Sequence, residues 1–130
     1  MPELEYFVVA ESYAHDRDTN SISIFNVLNE RKYDNFPVTI PRLLFISCWI
    51  ATPQEIQDKS DAHLGIRINA PGHQNDPFLM NFTCDVEFQH LVAEYSGLVI
   101  NQPSTFKIEL LLNGEYKASH TLAIKETAGP

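Results

Sequence analysis

Asp16, Asp18 and Asn20 stand at alternate positions, the spacing of the first three oxygen ligands of an EF-hand calcium loop. The remainder of that loop is missing. Ser21 occupies the place of the sharp-turn glycine and Val27 that of the bidentate glutamate, so the stretch is not an EF-hand. A solvated polar turn between two strands accounts for it most simply. The chemical alternative is a weak cation site shared by several loops, with Asp16, Asp18, Asp58 and Asp61 as its carboxylates.

Five histidines, His15, His63, His73, His90 and His120, are scattered along the chain. None lies two or four residues from another and no Cys-x-x-Cys occurs, so the local signatures of a zinc site are absent. His90 and Glu94 would meet on one face of a helix. His120 falls on the apolar face of a strand, where a hydrogen-bonded core histidine is expected rather than a ligand. Nucleophilic chemistry finds no better footing, for there is neither a Gly-x-Ser-x-Gly elbow nor a phosphate-cradling glycine loop. Cys84 with His90 is the one conceivable nucleophile and base, but Cys84 sits in an alternating apolar run, where a thiol is inert. No catalytic or cofactor-binding residue is assigned, no cofactor is expected, and the balance is against an enzyme.

The segment Asn29–Ile40 offers chemistry of a different kind. Arg31 and Lys32 form the one local cluster of positive charge, and Tyr33 and Phe36 follow them outside any clear strand pattern. These four residues are the candidate partner-binding surface. Phe7, Phe25, Phe45, Trp49, Phe78, Phe82 and Phe106 fall mostly in strand runs and are assigned to the core.

The elements that position these residues are strands, because the apolar period is two. Phe106, Ile108, Leu110 and Leu112 alternate with polar or mixed neighbours, then Asn113-Gly114 supplies the pair preferred in a type I′ hairpin. Tyr116 to Ile124 resumes the alternation. The same period runs through Phe78 to Phe88, Leu64 to Ile68, and Ser21 to Leu28. Arg42 to Ile50 is apolar at nearly every position, as a central strand covered on both faces would be. Tyr6 to Ala14 and a run from Tyr95 onward complete about eight strands. Turn signals at Asp16–Asn20, Phe36-Pro37, Thr52-Pro53, Ala70-Pro71-Gly72, Asp76-Pro77 and Asn101–Pro103 separate them. The expectation is a single antiparallel β-sandwich of Ig-like or C2-like architecture, spanning 1–125 and ending in the Asn113-Gly114 hairpin, with 126–130 as a loose tail. If each strand crosses the sandwich, the loops Asp16–Asn20, Thr52–Asp61 and Asn113-Gly114 share one end. Asn29–Ile40, Pro71–Asp76 with His73, and Asn101–Ser104 then share the other.

The 130 residues carry nine Lys and Arg against seventeen Asp and Glu, a net charge of −8. That balance argues against nucleic-acid binding, which needs a basic stripe along the phosphate backbone. No apolar stretch approaches the ~20 residues of a membrane span, and the N-terminal residues lack the pattern of a secretory leader. A cytoplasmic location is expected, with Cys48 and Cys84 as free thiols.

Val8-Val9-Ala10-Glu11, then Ser21 to Val27, Phe36-Pro37 before the strand that holds Trp49, and Phe106–Leu112 with Asn113-Gly114 occur in an order that resembles a family of small uncharacterised bacterial β-sandwich proteins, a domain of unknown function. Phe25 and Asn26 stand where that family tends to carry glycine, and Pro103-Ser104 replaces its Pro-Gly. The resemblance implies the sandwich fold and adds no catalytic residue. The expected role is a non-enzymatic module binding an unknown protein partner or a second copy of itself, through exposed loops and sheet edges. The alternative is a metal- or small-ligand-binding module that uses the acidic loops at one end.

Overall fold

The computed structural model describes residues 1–70 and 78–127. Among them run β1 (Glu3–Asp16), β2 (Ser21–Val27), β3 (Glu30–Tyr33), β4 (Val38–Ile50), α1 (Pro53–Asp58), β5 (Asp61–Asn69), β6 (Phe78–Thr83), β7 (Phe88–Ile100), β8 (Ser104–Leu112) and β9 (Glu115–Glu126). The first sheet has the order β2-β1-β4-β7, and the second has the order β3-β9-β8-β5-β6. The second sheet is curled like half a barrel. Val9, Phe45 and Trp49 from the first sheet join Leu64, Ile66, Phe106, Ile108 and Leu122 from the second in one buried cluster. The all-β, two-sheet expectation holds.

Local chemistry agrees with this arrangement. Asn113 and Gly114 both have positive φ, 50° and 82°, as a type I′ turn demands. His120 is buried, and its Nε2 donates to the Leu28 carbonyl at 2.5 Å; it is the satisfied core histidine its strand position implies. Cys48 and Cys84 are buried free thiols.

One feature of the first sheet departs from a plain sandwich. β1 pairs with β4 only from Glu3 to Ala10, and with β2 only from Ala10 to Asp16. Beyond Ala10, therefore, β1 leaves β4, and its outer half runs with β2 as a hairpin. The hairpin tip reaches β7, two strands away: Asn20 Nδ2 donates to the Phe88 carbonyl at 2.9 Å, and His90 Nε2 donates to the Asn20 carbonyl at 3.1 Å. Leu44 and Ile46 alternate with core-facing Leu43 and Phe45, so they point away from the core. With Ala10 they are nonetheless buried, packed with Tyr6, Val8, Ile22, Ile24 and Val92. The hairpin is thus folded back over the outer face of its own sheet. This is why β4 is apolar on both faces: the core covers one and the chain's own hairpin the other.

Several boundaries differ from expectation for identifiable reasons. Thr52–Asp61 contains α1 rather than loop alone, because Thr52 and Glu55 close a capping box around Pro53 at the first helical position. The segment after Asn29 forms β3, which pairs parallel to β9, so the sandwich is not wholly antiparallel. The alternating run from Phe78 does not continue to Phe88. It ends at Thr83, where the Cys84 N–H turns to the Ser60 carbonyl at 2.9 Å. β7 begins at Phe88 rather than near Tyr95, so His90 and Glu94 lie four residues apart on a strand, roughly 13 Å, and do not meet as they would on a helix. Glu126 closes β9 and the Thr127 N–H donates to the Tyr33 carbonyl at 3.0 Å. The loop Pro71–Asp76, His73 and residues 128–130 lie outside the described residues.

Candidate functional site

The acidic loops share one end of the molecule. Asn20 reaches Phe88, whose register partner Ile50 precedes α1. Asn113 in turn exchanges two hydrogen bonds with His63, at 2.8 and 2.9 Å, two residues past Asp61. Three of their carboxylates, however, are engaged by nearby donors of the chain. Asp16 Oδ1 accepts the N–H groups of Asp18 and Thr19 at 2.9 and 3.4 Å, which holds its carboxyl below the usual range. Asp58 accepts from Gln54 at 2.9 Å, and Asp61 from the Thr83 hydroxyl at 2.8 Å. Among the described residues, no three His, Cys, Asp or Glu side chains gather in a way that could hold a metal ion. Asp16, Asp18, Asp58 and Asp61 are therefore neighbours of one pole, not a ligand set.

Beneath the hairpin tip at this pole lies a cleft of about 450 Å³, with Tyr6, Cys48 and His90 on its sheet side and Asn20 and Ile22 on its hairpin side. Tyr6 and His90 flank Cys48 as its register partners on β1 and β7. The hydrogen bonds fix the tautomers. Asn20 gives its amide hydrogen to Phe88, so its Oδ1 accepts from His15 Nε2 at 2.8 Å. His90 donates through Nε2, so its Nδ1 accepts the Tyr6 hydroxyl at 3.3 Å. Burial, with a smaller push from Glu5, raises the Cys48 thiol above its ordinary pKa, and a protonated thiol is a poor nucleophile. Cys84 lies in the core on the other side of the sheet and has no access to His90. The thiol beside His90 is Cys48, a juxtaposition across two strands that no local spacing signals.

The positive segment divides between core and surface. Phe36 packs on the core and meets the Tyr33 ring edge-on at 6.4 Å, while Lys32 is exposed. Arg31 and Tyr33 face a separate cleft of about 310 Å³ at the side of the sandwich. Arg31 is ion-paired with Glu11 there.

A third cleft, of about 320 Å³, lies on the outer face of the second sheet. Leu79, Gly65, Leu111 and Tyr116 are successive register partners across β6, β5, β8 and β9. Leu64, Ile66, Leu110 and Leu112 beside them face the core, so this row faces outward. Leu79 is 72% exposed and Tyr116 50% exposed. Gly65 forms the notch between the two leucines: a Cβ there would stand 3.3 Å from Leu79 Cδ2 and 3.6 Å from Leu111 Cβ. His63, Asn113 and Gly114 give the notch a polar rim. Among the described residues β6 is the terminal strand of its sheet, so a row of backbone donors and acceptors borders the apolar row. None of these residues was a candidate from sequence; the one signal was a glycine inside a strand run, which often marks a close approach.

No helix among the described residues is long and apolar enough to cross a membrane. No protein-family model, curated protein or solved structure matches the chain.

Proposed function

We propose that the chain is a non-enzymatic protein-binding module that docks an apolar segment of a partner on the outer face of its second sheet. The observation that carries this reading is the row Leu79–Gly65–Leu111–Tyr116 on the outer face, ending at β6, the edge strand among the described residues. Leu79 and Tyr116 are exposed at the two ends of this row, with buried Gly65 and Leu111 between them, which suits an apolar partner segment laid across the outer face with one side chain in the notch over Gly65. Burying the Leu79 side chain would contribute about 1.5–3 kcal/mol. An Ig-like or C2-like architecture, a reducing cytoplasmic setting and kinship with the uncharacterised bacterial sandwiches belong to the same reading. Two buried free thiols and a net charge of −8 without a basic stripe support it.

Photo-crosslinking in the cell of origin tests the proposal. A photoreactive residue at position 79 or 116 gives discrete adducts, and one at exposed Asp34 gives none. An adduct of twice the chain's mass identifies the partner as a second copy. Gly65→Ala fills the notch while displacing only the free end of Leu79, and in a strand it adds roughly 0.5–1 kcal/mol of stability. It abolishes the adduct in a protein that folds at least as well. Equal crosslinking at positions 34 and 79, or an adduct indifferent to Gly65→Ala, refutes the docking face.

A second reading, a small-ligand module at the acidic pole, is favoured by the cleft under the hairpin tip, where Tyr6 and His90 converge. A ligand held there stabilises the native state alone and raises the thermal midpoint. A midpoint unmoved by any member of a metal, sugar and metabolite panel removes this reading.

A further inference from the structure

The departure of β1 from β4 at Ala10 leaves an opening in the flank of the sandwich. Over Val38–Leu43, β4 pairs with β7 on one side and has no strand partner on the other among the described residues. Across the gap runs β3, itself the terminal strand of the second sheet. Between these two edges lies the cleft of about 310 Å³. Leu28 and Ile40, both members of the buried core cluster, and Pro41 give it an apolar floor, and Tyr33 gives it an aromatic wall. Its rim carries Arg31 and Arg42. The chain has only four arginines, so half of them stand at this one opening, each beside a glutamate, Glu11 or Glu94.

Both guanidiniums are held in place without being exhausted. Arg42 is tied to Glu94 through Nε at 3.1 Å, and four of its five donors belong to the terminal nitrogens. Arg31 is engaged through one terminal nitrogen by Glu11, which also accepts from Asn26 Nδ2 at 2.9 Å. Glu11 lines the same cleft. Its carboxylate therefore shows what chemistry the Arg31 fork accepts, and its bond from Asn26 gives it a partner to keep if it is displaced. A guanidinium fork matches a carboxylate in bidentate fashion. The apolar floor and aromatic wall require a body to go with that head group, and the volume is at the small end of organic-ligand sites.

We propose that this flank opening binds a small organic monocarboxylate, its apolar body on Leu28, Ile40 and Tyr33 and its carboxylate replacing Glu11 on Arg31 within reach of Arg42. The opening lies between the two sheets at β3 and β4, away from the apolar row on the outer face of the second sheet, so the two assignments stand or fall separately.

Amide-resolved NMR titration of the whole chain with hexanoate tests the site. Saturable shifts are expected at the amides of residues 28–33, 40 and 42, with a dissociation constant of about 1 mM or tighter. Hexan-1-ol, hexylammonium and inorganic phosphate serve as controls, because the first lacks the charge, the second reverses it and the third lacks the apolar body. Each should bind at least about tenfold more weakly, as should hexanoate to Arg31→Gln. Glu11→Gln removes the internal competitor and is expected to tighten hexanoate severalfold. Hexan-1-ol matching hexanoate would reduce the site to an apolar crevice and overturn the proposal. So would shifts confined to other regions, full affinity in Arg31→Gln, or no tightening in Glu11→Gln.

Discussion

Replacing Ile46 by alanine distinguishes the folded-back hairpin from an ordinary sandwich. Ile46 points away from the core, yet is 0% exposed, because Ile22, Ile24 and Val92 pack with it, Ala10 and Leu44. On a bare outer face this substitution would cost about 1 kcal/mol or less, the span of strand propensities. Under the hairpin it leaves a cavity in a packed layer, and the cost rises to about 2–5 kcal/mol. The second figure is a large share of the roughly 5–15 kcal/mol that holds a domain of this size together. Urea denaturation reads it directly, as a fall in midpoint at unchanged slope. A double-mutant cycle with Ile24→Ala then assigns the loss to the hairpin: contacting residues couple by about 0.5–3 kcal/mol, and separated ones add. A cost under about 1 kcal/mol together with strict additivity would mean the outer face is open. In that event the burial of Ala10, Leu44 and Ile46 has no source.

Other consequences are as direct. A thiol reagent should find Cys48 and Cys84 nearly inert in the native protein and titrate both after denaturation, whereas fast native labelling of either refutes its burial. Burial raises the Tyr6 phenol and both thiols above their ordinary values. The native state therefore prefers the neutral forms, and the stability this represents is complete below the ordinary pKa values and lost as pH rises through the raised ones. Thermal midpoints should accordingly fall above about pH 9 and fall less in Cys48→Ala, and a flat profile to pH 11 would contradict this. The Glu55 carboxyl, held low by the Thr52 N–H and by the N-terminal ammonium at 2.9 Å, should titrate below the ordinary glutamate range by NMR. Acetylating the N-terminal amine should move it upward, and an unmoved value would show that the ion pair is not populated.

What could be read in advance follows from how far apart the cooperating residues lie. Period-two runs and the Asn113-Gly114 turn are local, and they specify strands, a hairpin and the all-β class without reference to the rest of the chain. The apolar run Arg42–Ile50 even recorded that both faces of β4 are covered. It did not record by what, because Ile22 and Ile24 alternate as they would in any edge strand. The break at Cys84 was hidden by the absence of glycine and proline in Cys84-Asp85-Val86-Glu87. β3 is four residues long and its register partners on β9 lie 93 positions later (Glu30 against Ala123), so no nearby pattern could announce it. The clefts show the same limit. Glu11, Arg31 and Arg42 meet only because β1 abandons β4, and Leu79, Gly65, Leu111 and Tyr116 meet only through the strand order of the second sheet. Of the four residues in the positive segment, Arg31 and Tyr33 line a cleft, Lys32 is exposed and Phe36 packs on the core. The acidic quartet was placed at the correct pole, but proximity of loops is not convergence of lone pairs.

The hairpin that covers its own sheet is joined to it only by the chain at Ala10–Glu11 and Val27–Leu28; everything else about the union is non-covalent. An identical face on a neighbouring molecule would receive the same hairpin through the same contacts. What keeps the closure internal is the high local concentration that a short tether imposes, which is of millimolar order. Dilution therefore favours closure of the hairpin within its own chain over exchange. Crowding toward that concentration, or stiffening the two connections, favours exchange of hairpins between copies, as in domain-swapped dimers.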